Sequence, residues 1–171
     1  MSANLAFVFP GQGSQALGML AEQGVQHALI IETFAEASAA LGYDLWALTQ
    51  QGPEELLNQT DKTQPAILAA SIALWRLWLA EVGVRPAFVA GHSLGEYSAL
   101  VAAGSLGFTD ALKLVERRGQ LMQQAVPAGQ GGMAAILGLD DAQVLAACAE
   151  AAQGEVVSAV NFNAPGQVVI A

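Results

Sequence analysis

A single cysteine, Cys148, excludes any disulfide within the chain and fits a reducing compartment. It sits in an alanine-rich stretch of helical spacing, where a buried structural thiol is expected rather than a reactive one. Histidine is nearly as scarce. His27 and His92 are the only two, so an imidazole base has only two candidates. Positive charge is sparse as well: Lys62, Arg76, Arg85, Lys113, Arg117 and Arg118 stand against 15 acidic residues, a net charge of -9. Six scattered cations form no basic patch, which excludes nucleic acid as an expected partner. Nor does any apolar run approach the roughly 20 residues of a membrane span. Residues 84–90 are too few, and residues 67–82 carry Arg76 and Glu81. The N-terminus has no basic start followed by a long apolar core, so no secretory signal is expected and the location expected is cytoplasmic. C-x-x-C, H-E-x-x-H and Walker patterns are all missing, and no metal or redox cofactor is implied.

The chain does hold apolar material in quantity. Its 171 residues are 54% hydrophobic and 12% charged, which suits a folded domain with a sizeable core and not a disordered tail. Residues 5–9 form a short continuous apolar run, as a strand buried on both faces would. Helical spacing follows over residues 30–41, closed by Gly42, and over residues 45–57, broken at Gly52-Pro53. The longest helix is expected over residues 63–82, with Ile67, Ser71, Leu74, Trp75, Trp78, Leu79 and Val82 on one face. Both tryptophans are expected to pack in the core. Gly83 and Pro86 end that helix. A second strand, a helix, a turn at Gly104-Ser105-Leu106-Gly107 and a helix capped by Thr109-Asp110 and running to about Ala125 complete an α/β signature with a parallel sheet.

The composition changes at residues 126–132, where Pro127, Gly129, Gly131 and Gly132 read as a linker. Beyond it the expected order is strand (133–137), helix (140–152), strand (156–162), a turn at Asn163-Ala164-Pro165-Gly166, and strand (167–171). That β-α-β-β order is the first two-thirds of a ferredoxin-like unit. The division expected is therefore a core at 1–125, a linker at 126–132 and a small subdomain starting at 133–171. The sequence stops inside an apolar strand, so it reads as a chain cut short.

Gly91-His92-Ser93-Leu94-Gly95 carries the chemistry. It lies between the apolar run at residues 87–90 and a helical run at residues 96–103. A nucleophile elbow needs that context: a serine on a sharp strand-to-helix turn, with glycines two residues to either side to admit the turn. The amide of the next residue, Leu94, falls at a helix N-terminus, where developing negative charge is stabilised. A serine hydroxyl needs a base within hydrogen-bond reach. His27 lies on a polar segment and is expected to be solvated. His92 adjoins the serine, but consecutive side chains diverge at an elbow, so it is expected to pack and hydrogen-bond structurally instead.

With that elbow, three further motifs complete a pattern: Phe7-Val8-Phe9-Pro10-Gly11-Gln12-Gly13-Ser14-Gln15, Arg118 with Met122 four residues on, and Asn161-Phe162-Asn163-Ala164-Pro165-Gly166-Gln167. Together, in order and at family spacing, they resemble the bacterial malonyl-CoA:acyl carrier protein transacylases. The resemblance runs from end to end and implies a hydrolase-like α/β core with an inserted ferredoxin-like subdomain, both incomplete here. It implies transfer of a malonyl group from coenzyme A to the phosphopantetheine thiol of acyl carrier protein through an acyl-serine, in fatty-acid synthesis. Malonyl-CoA and the carrier protein are the partners implied, with no cofactor besides malonyl-CoA as substrate. Ser93 becomes the nucleophile, and the amides of Gln12 and Leu94 become the oxyanion hole. Arg118 pairs with the malonate carboxylate, for which a planar guanidinium is suited. The R-x-x-x-M spacing selects Arg118 over Arg117, which points about 100° away on a helix. Met122 lines the same pocket, and Asn161 and Asn163 contact it from the small subdomain. The family's general base is a histidine beyond residue 171, absent from this chain, so the chain is expected to be inactive alone. A first strand so close to Met1 suits a stand-alone enzyme rather than a module of a longer synthase. Two other readings stay open: a serine esterase on an α/β-hydrolase fold, which needs no cation at the acyl pocket, and a non-catalytic fragment.

Overall fold

A computed structural model describes residues 5–126 and 131–171. The chain divides into two compact units, Met1–Gln124 and Ala125–Ala171. Of the expected linker, Pro127 and Gly129 lie outside the described residues, as does Met1.

The first unit starts with β1 (Ala6–Phe9) and continues through α1 (Ala21–Gln26), α2 (Ala28–Leu41), α3 (Leu45–Gln51), α4 (Glu54–Leu57), α5 (Thr60–Glu81), β2 (Phe88–Gly91), α6 (Leu94–Ala102) and α7 (Phe108–Ala125). β1 and β2 pair in parallel, with Ala6 opposite Phe88 and Phe9 opposite Gly91. Their C-terminal ends thus lie side by side, and the loops that leave them emerge at one edge. Parallel strands need a long crossover, and α1 to α5 provide it. The core lies between helices: Ile30 and Phe34 of α2, Leu68 and Ile72 of α5, and Leu112 and Val115 of α7 are all but fully buried. Burying each such side chain stabilises the fold by about 1.5–3 kcal/mol.

Three expectations for this unit change. β1 is not buried on both faces: Phe9 is buried, but Val8 is 76% exposed. Among the described residues β1 has β2 as its one neighbour, so its other face and edge are bare. α5 starts at Thr60, not 63, and its burial is broader than one stripe, taking in Gln64, Leu68 and Ile72 while leaving Leu74 and Val82 half exposed. α7 begins at Phe108, with the Gly107 carbonyl accepting from the Ala111 amide at 2.9 Å, so Thr109 and Asp110 sit inside the first turn rather than capping it. The tryptophans behave as expected. Trp75 and Trp78 both meet the Phe7 ring edge-on, at 5.3 and 5.1 Å, and the Trp78 indole donates to the Val84 carbonyl at 2.7 Å.

The second unit runs β3 (Ala134–Leu137), α8 (Asp141–Ala152), β4 (Ala159–Ala164) and β5 (Gln167–Ile170), and its strands form a three-stranded antiparallel sheet in the order β3-β5-β4. α8 opens on a capping box, Asp140 accepting from the Gln143 amide while Gln143 accepts from the Asp140 amide. Val144, Cys148 and Val168 make its small core, with Cys148 buried as expected. β4 lies later than the sequence suggests. Asn163 and Ala164 belong to the strand, and Pro165-Gly166 alone makes the turn, with Gly166 at φ 72°.

Candidate active site

Ser93 stands between β2 and α6 with φ 54° and ψ -111°. That conformation costs a non-glycine residue on the order of 1–3 kcal/mol and persists only where its surroundings enforce it. Two glycines do so by close approach. A methyl at Gly91 would lie 2.1 Å from the carbonyl carbon and oxygen of Gly95, and a methyl at Gly95 would lie 2.2 Å from the Phe9 carbonyl oxygen. The first turn of α6 is thereby pressed onto the ends of both strands. The Gly95 amide donates to the His92 carbonyl at 2.9 Å, which locks the turn, and the Leu94 side chain is fully buried beneath it. Ser93 itself is exposed.

The loop after β1 lies against this elbow: a methyl at Gly11 would lie 3.3 Å from the His92 carbonyl oxygen. Two side-chain hydrogen bonds tie the loop to the end of α4 and the start of α5. Gln12 Nε2 donates to Thr60 Oγ1 at 3.2 Å, and Gln15 Nε2 donates to Asn58 Oδ1 at 2.8 Å. With its side chain engaged, Gln12 has its backbone amide left to offer. Among the described residues neither that amide nor the Leu94 amide donates a hydrogen bond.

Arg118 reaches Ser93 from α7. Its Nη2 donates to Ser93 Oγ at 2.9 Å and its Nη1 to Gln64 Oε1 at 2.8 Å, and its Cζ lies 5.8 Å from the centre of the Tyr97 ring. Gln64 is fully buried, and its Nε2 donates to Met122 Sδ at 3.4 Å. One amide therefore joins Arg118 and Met122, the pair marked by the R-x-x-x-M spacing. Arg117 points elsewhere and bonds Gln120 at 3.3 Å. Among the described residues no carboxylate pairs with Arg118, whereas Arg76 has Glu36 at 2.6 Å and Lys62 has Glu116 at 3.0 Å. A guanidinium with donors to spare is suited to binding a carboxylate.

Neither imidazole is a hydrogen-bond partner of Ser93 among the described residues. His27 lies 3.7 Å from Glu81. His92 is exposed, and its side chain makes no hydrogen bond among the described residues, so the packed structural role expected for it is not what the fold gives. The elbow turns its neighbour's side chain outward. Asn161 and Asn163 belong to β4 of the other unit. Asn161 pairs with Val169 of β5, and Asn163 falls in the irregular stretch between Phe162 and Ala164. Gln64, Thr60 and Asn58 are the site residues the sequence did not single out.

With a serine at a strand–helix turn and a loop and a guanidinium beside it, the chain belongs over residues 6–171 to the acyl transferase domain family. More particularly, it is 68% identical over 166 residues to the malonyl CoA-acyl carrier protein transacylase of Salmonella typhimurium, which covers 97% of this chain and 54% of that protein. The crystal structure of an acyl carrier protein S-malonyltransferase from Vibrio cholerae superposes with a TM-score of 0.92 at 67% identity, over 98% of this chain and 55% of that one. A malonyl-transacylase in complex with its type II PKS acyl-carrier protein superposes with a TM-score of 0.93 at 62% identity, over 96% of this chain and 53% of that one. The chain thus spans about half the length of the relatives it matches.

Proposed function

We propose that these residues form the nucleophile-bearing part of a malonyl-CoA:acyl carrier protein transacylase of fatty-acid synthesis, working in the cytoplasm. The fold that goes with this reading is a hydrolase-like core at 1–125, a linker at 126–132 and, from 133, a ferredoxin-like subdomain. The β3-β5-β4 order supports that last assignment. In this reading Ser93 Oγ attacks the thioester carbonyl and its proton passes to a base supplied from outside this chain. The amides of Gln12 and Leu94 take the charge that develops on the carbonyl oxygen. The C–S bond breaks, coenzyme A leaves as its thiol with that proton, and a malonyl-serine remains. The thiol of the carrier protein's phosphopantetheine then repeats the attack, the base taking its proton, and Ser93 regains its own. No redox or metal step enters this sequence. Arg118 holds the distal carboxylate throughout, with Met122 beside it.

The observation that carries this reading is the 2.9 Å contact of Arg118 Nη2 with Ser93 Oγ by a guanidinium that has no carboxylate partner among the described residues. An esterase of neutral esters has no use for such a charge at its nucleophile. The test is Arg118→Ala in a protein of the relatives' full length. Losing a charge-assisted pair costs roughly 1.5–3 kcal/mol, so malonyl transfer is expected to fall about 10- to 150-fold while acetyl transfer holds or rises. Equal loss for both acyl groups would contradict the assignment.

A further inference from the structure

We propose that Gly119 is a specificity-positioning residue, which seats α7 so deeply on the first turn of α5 that Arg118 reaches the acyl pocket. The proposal rests on the reading of Arg118 as the carboxylate binder. Gly119 is fully packed: a methyl there would lie 2.5 Å from Asp61 Cα, 2.7 Å from the Asp61 nitrogen and 2.8 Å from the Thr60 carbonyl carbon. These are backbone atoms, which cannot yield as the end of a flexible side chain can. Glycine is a poor residue for the middle of an eighteen-residue helix, so its place at this contact points to close approach. On either side of it along α7, polar contacts close the same seam. Lys62 Nζ donates to Glu116 Oε1 at 3.0 Å, and Gln123 Nε2 donates to Asp61 Oδ1 at 3.1 Å.

The seam matters because Arg118 adjoins Gly119 and is held from the same turn of α5. Gln64, three residues after Asp61, receives Arg118 Nη1 at 2.8 Å, and Arg118 Nη2 then meets Ser93 at 2.9 Å. Both bonds sit near the middle of the hydrogen-bond range, so an outward shift on the order of 1 Å breaks both. An alanine at 119 forces a shift of that size, since ordinary contact with backbone starts near 3.4 Å. Ser93 and the strands that hold it take no part in this seam, so the acyl-transfer chemistry itself is left in place.

The test compares Gly119→Ala, Glu116→Gln and Arg118→Ala in a protein of the relatives' full length, each assayed with malonyl-CoA and acetyl-CoA. For Gly119→Ala the kcat/KM for malonyl transfer is expected to fall about 10- to 100-fold, the scale of an ångström-sized misplacement, with acetyl transfer little changed. Glu116→Gln, which weakens the seam without adding volume, is expected to shift the same ratio by less. An unchanged malonyl-to-acetyl ratio in Gly119→Ala, or equal loss of both activities, overturns the proposal. If Gly119→Ala does not fold, Glu116→Gln decides: a lowered ratio supports the seam and an unchanged one overturns it. Arg118→Ala separates the two layers. Should it keep the malonyl preference, the reading of Arg118 fails; should it lose the preference while both seam variants keep it, only the role of Gly119 fails.

Discussion

At Gly95 one added methyl meets unyielding backbone, the Phe9 carbonyl oxygen at 2.2 Å. Overpacking ordinarily costs about 1–3 kcal/mol, and a clash with backbone belongs at or above the top of that range. Gly95→Ala is therefore expected to lose about 3 kcal/mol in urea unfolding of a full-length protein and to lose acyl-serine formation with it. A variant that unfolds like the parent would show that the elbow tolerates a wider turn. The glycines and Ser93 were legible in the sequence because the five-residue pattern is itself a statement about sterics. Arg118 was legible only through the family resemblance, whose R-x-x-x-M spacing selects it over Arg117. Gln64 was not, because a glutamine between Thr63 and Pro65 at the start of a helix looks like ordinary first-turn polarity. Only its complete burial reveals that its amide is used at both ends. His92 departs from the role expected of it for a related reason: adjacency in sequence fixes no side-chain direction, and the residue is exposed.

At the scale of elements, the start of α5 does more than begin a helix. It holds the loop of Gln12 through Thr60, the guanidinium of Arg118 through Gln64, and α7 through Asp61 and Lys62. Helical spacing located α5 but placed its start three residues late, and the omitted residues, 60–62, are among those that make these contacts. Periodicity reports the apolar face, whereas this turn is polar and is buried by what packs on it. The same turn supplies a pH dependence. Burial alone would lower the pKa of the Lys62 ammonium, but hydrogen bonds and charge from Glu116 and Asp61 outweigh it and raise it above its ordinary 10.5. Tyr43, whose ring lies 4.3 Å from Lys62 Nζ, has its phenol raised above 10.0 by burial first and by Glu116 next. Both groups hold their proton more tightly in the folded state. Their contribution is complete below about pH 10 and is lost as pH rises through the raised values. In melts from about pH 8 to 12, Lys62→Met is expected to be less stable than the parent at the low end and to lose stability less steeply above about pH 10. Parallel curves would mean that Lys62 does not report on this contact.

For the whole molecule, the pairing of β1 with β2 sets two loop ends side by side and leaves apolar surface bare. Val8 and Phe88 are 76% and 75% exposed, and a hollow of about 350 Å³ lined by Phe7, Val8, Leu74 and Trp75 opens on that side without including Ser93. The sequence foretold a parallel sheet because its apolar runs are continuous. The bare faces accompany a chain that spans about half the length of its relatives and in which β2 is the one partner of β1 among the described residues. Such surface is an aggregation hazard. The 171-residue polypeptide by itself is accordingly expected to be poorly soluble and, with neither imidazole bonded to Ser93, to show no transacylase turnover. Turnover on the order of 1 per second or faster from that polypeptide would contradict this. The central claim is that Ser93 carries the acyl group. Intact-protein mass spectrometry of a full-length protein incubated with malonyl-CoA, without carrier protein, tests it most directly. A single malonyl adduct is expected, absent from Ser93→Ala and discharged when carrier protein is added. An adduct of the same extent in Ser93→Ala would contradict it.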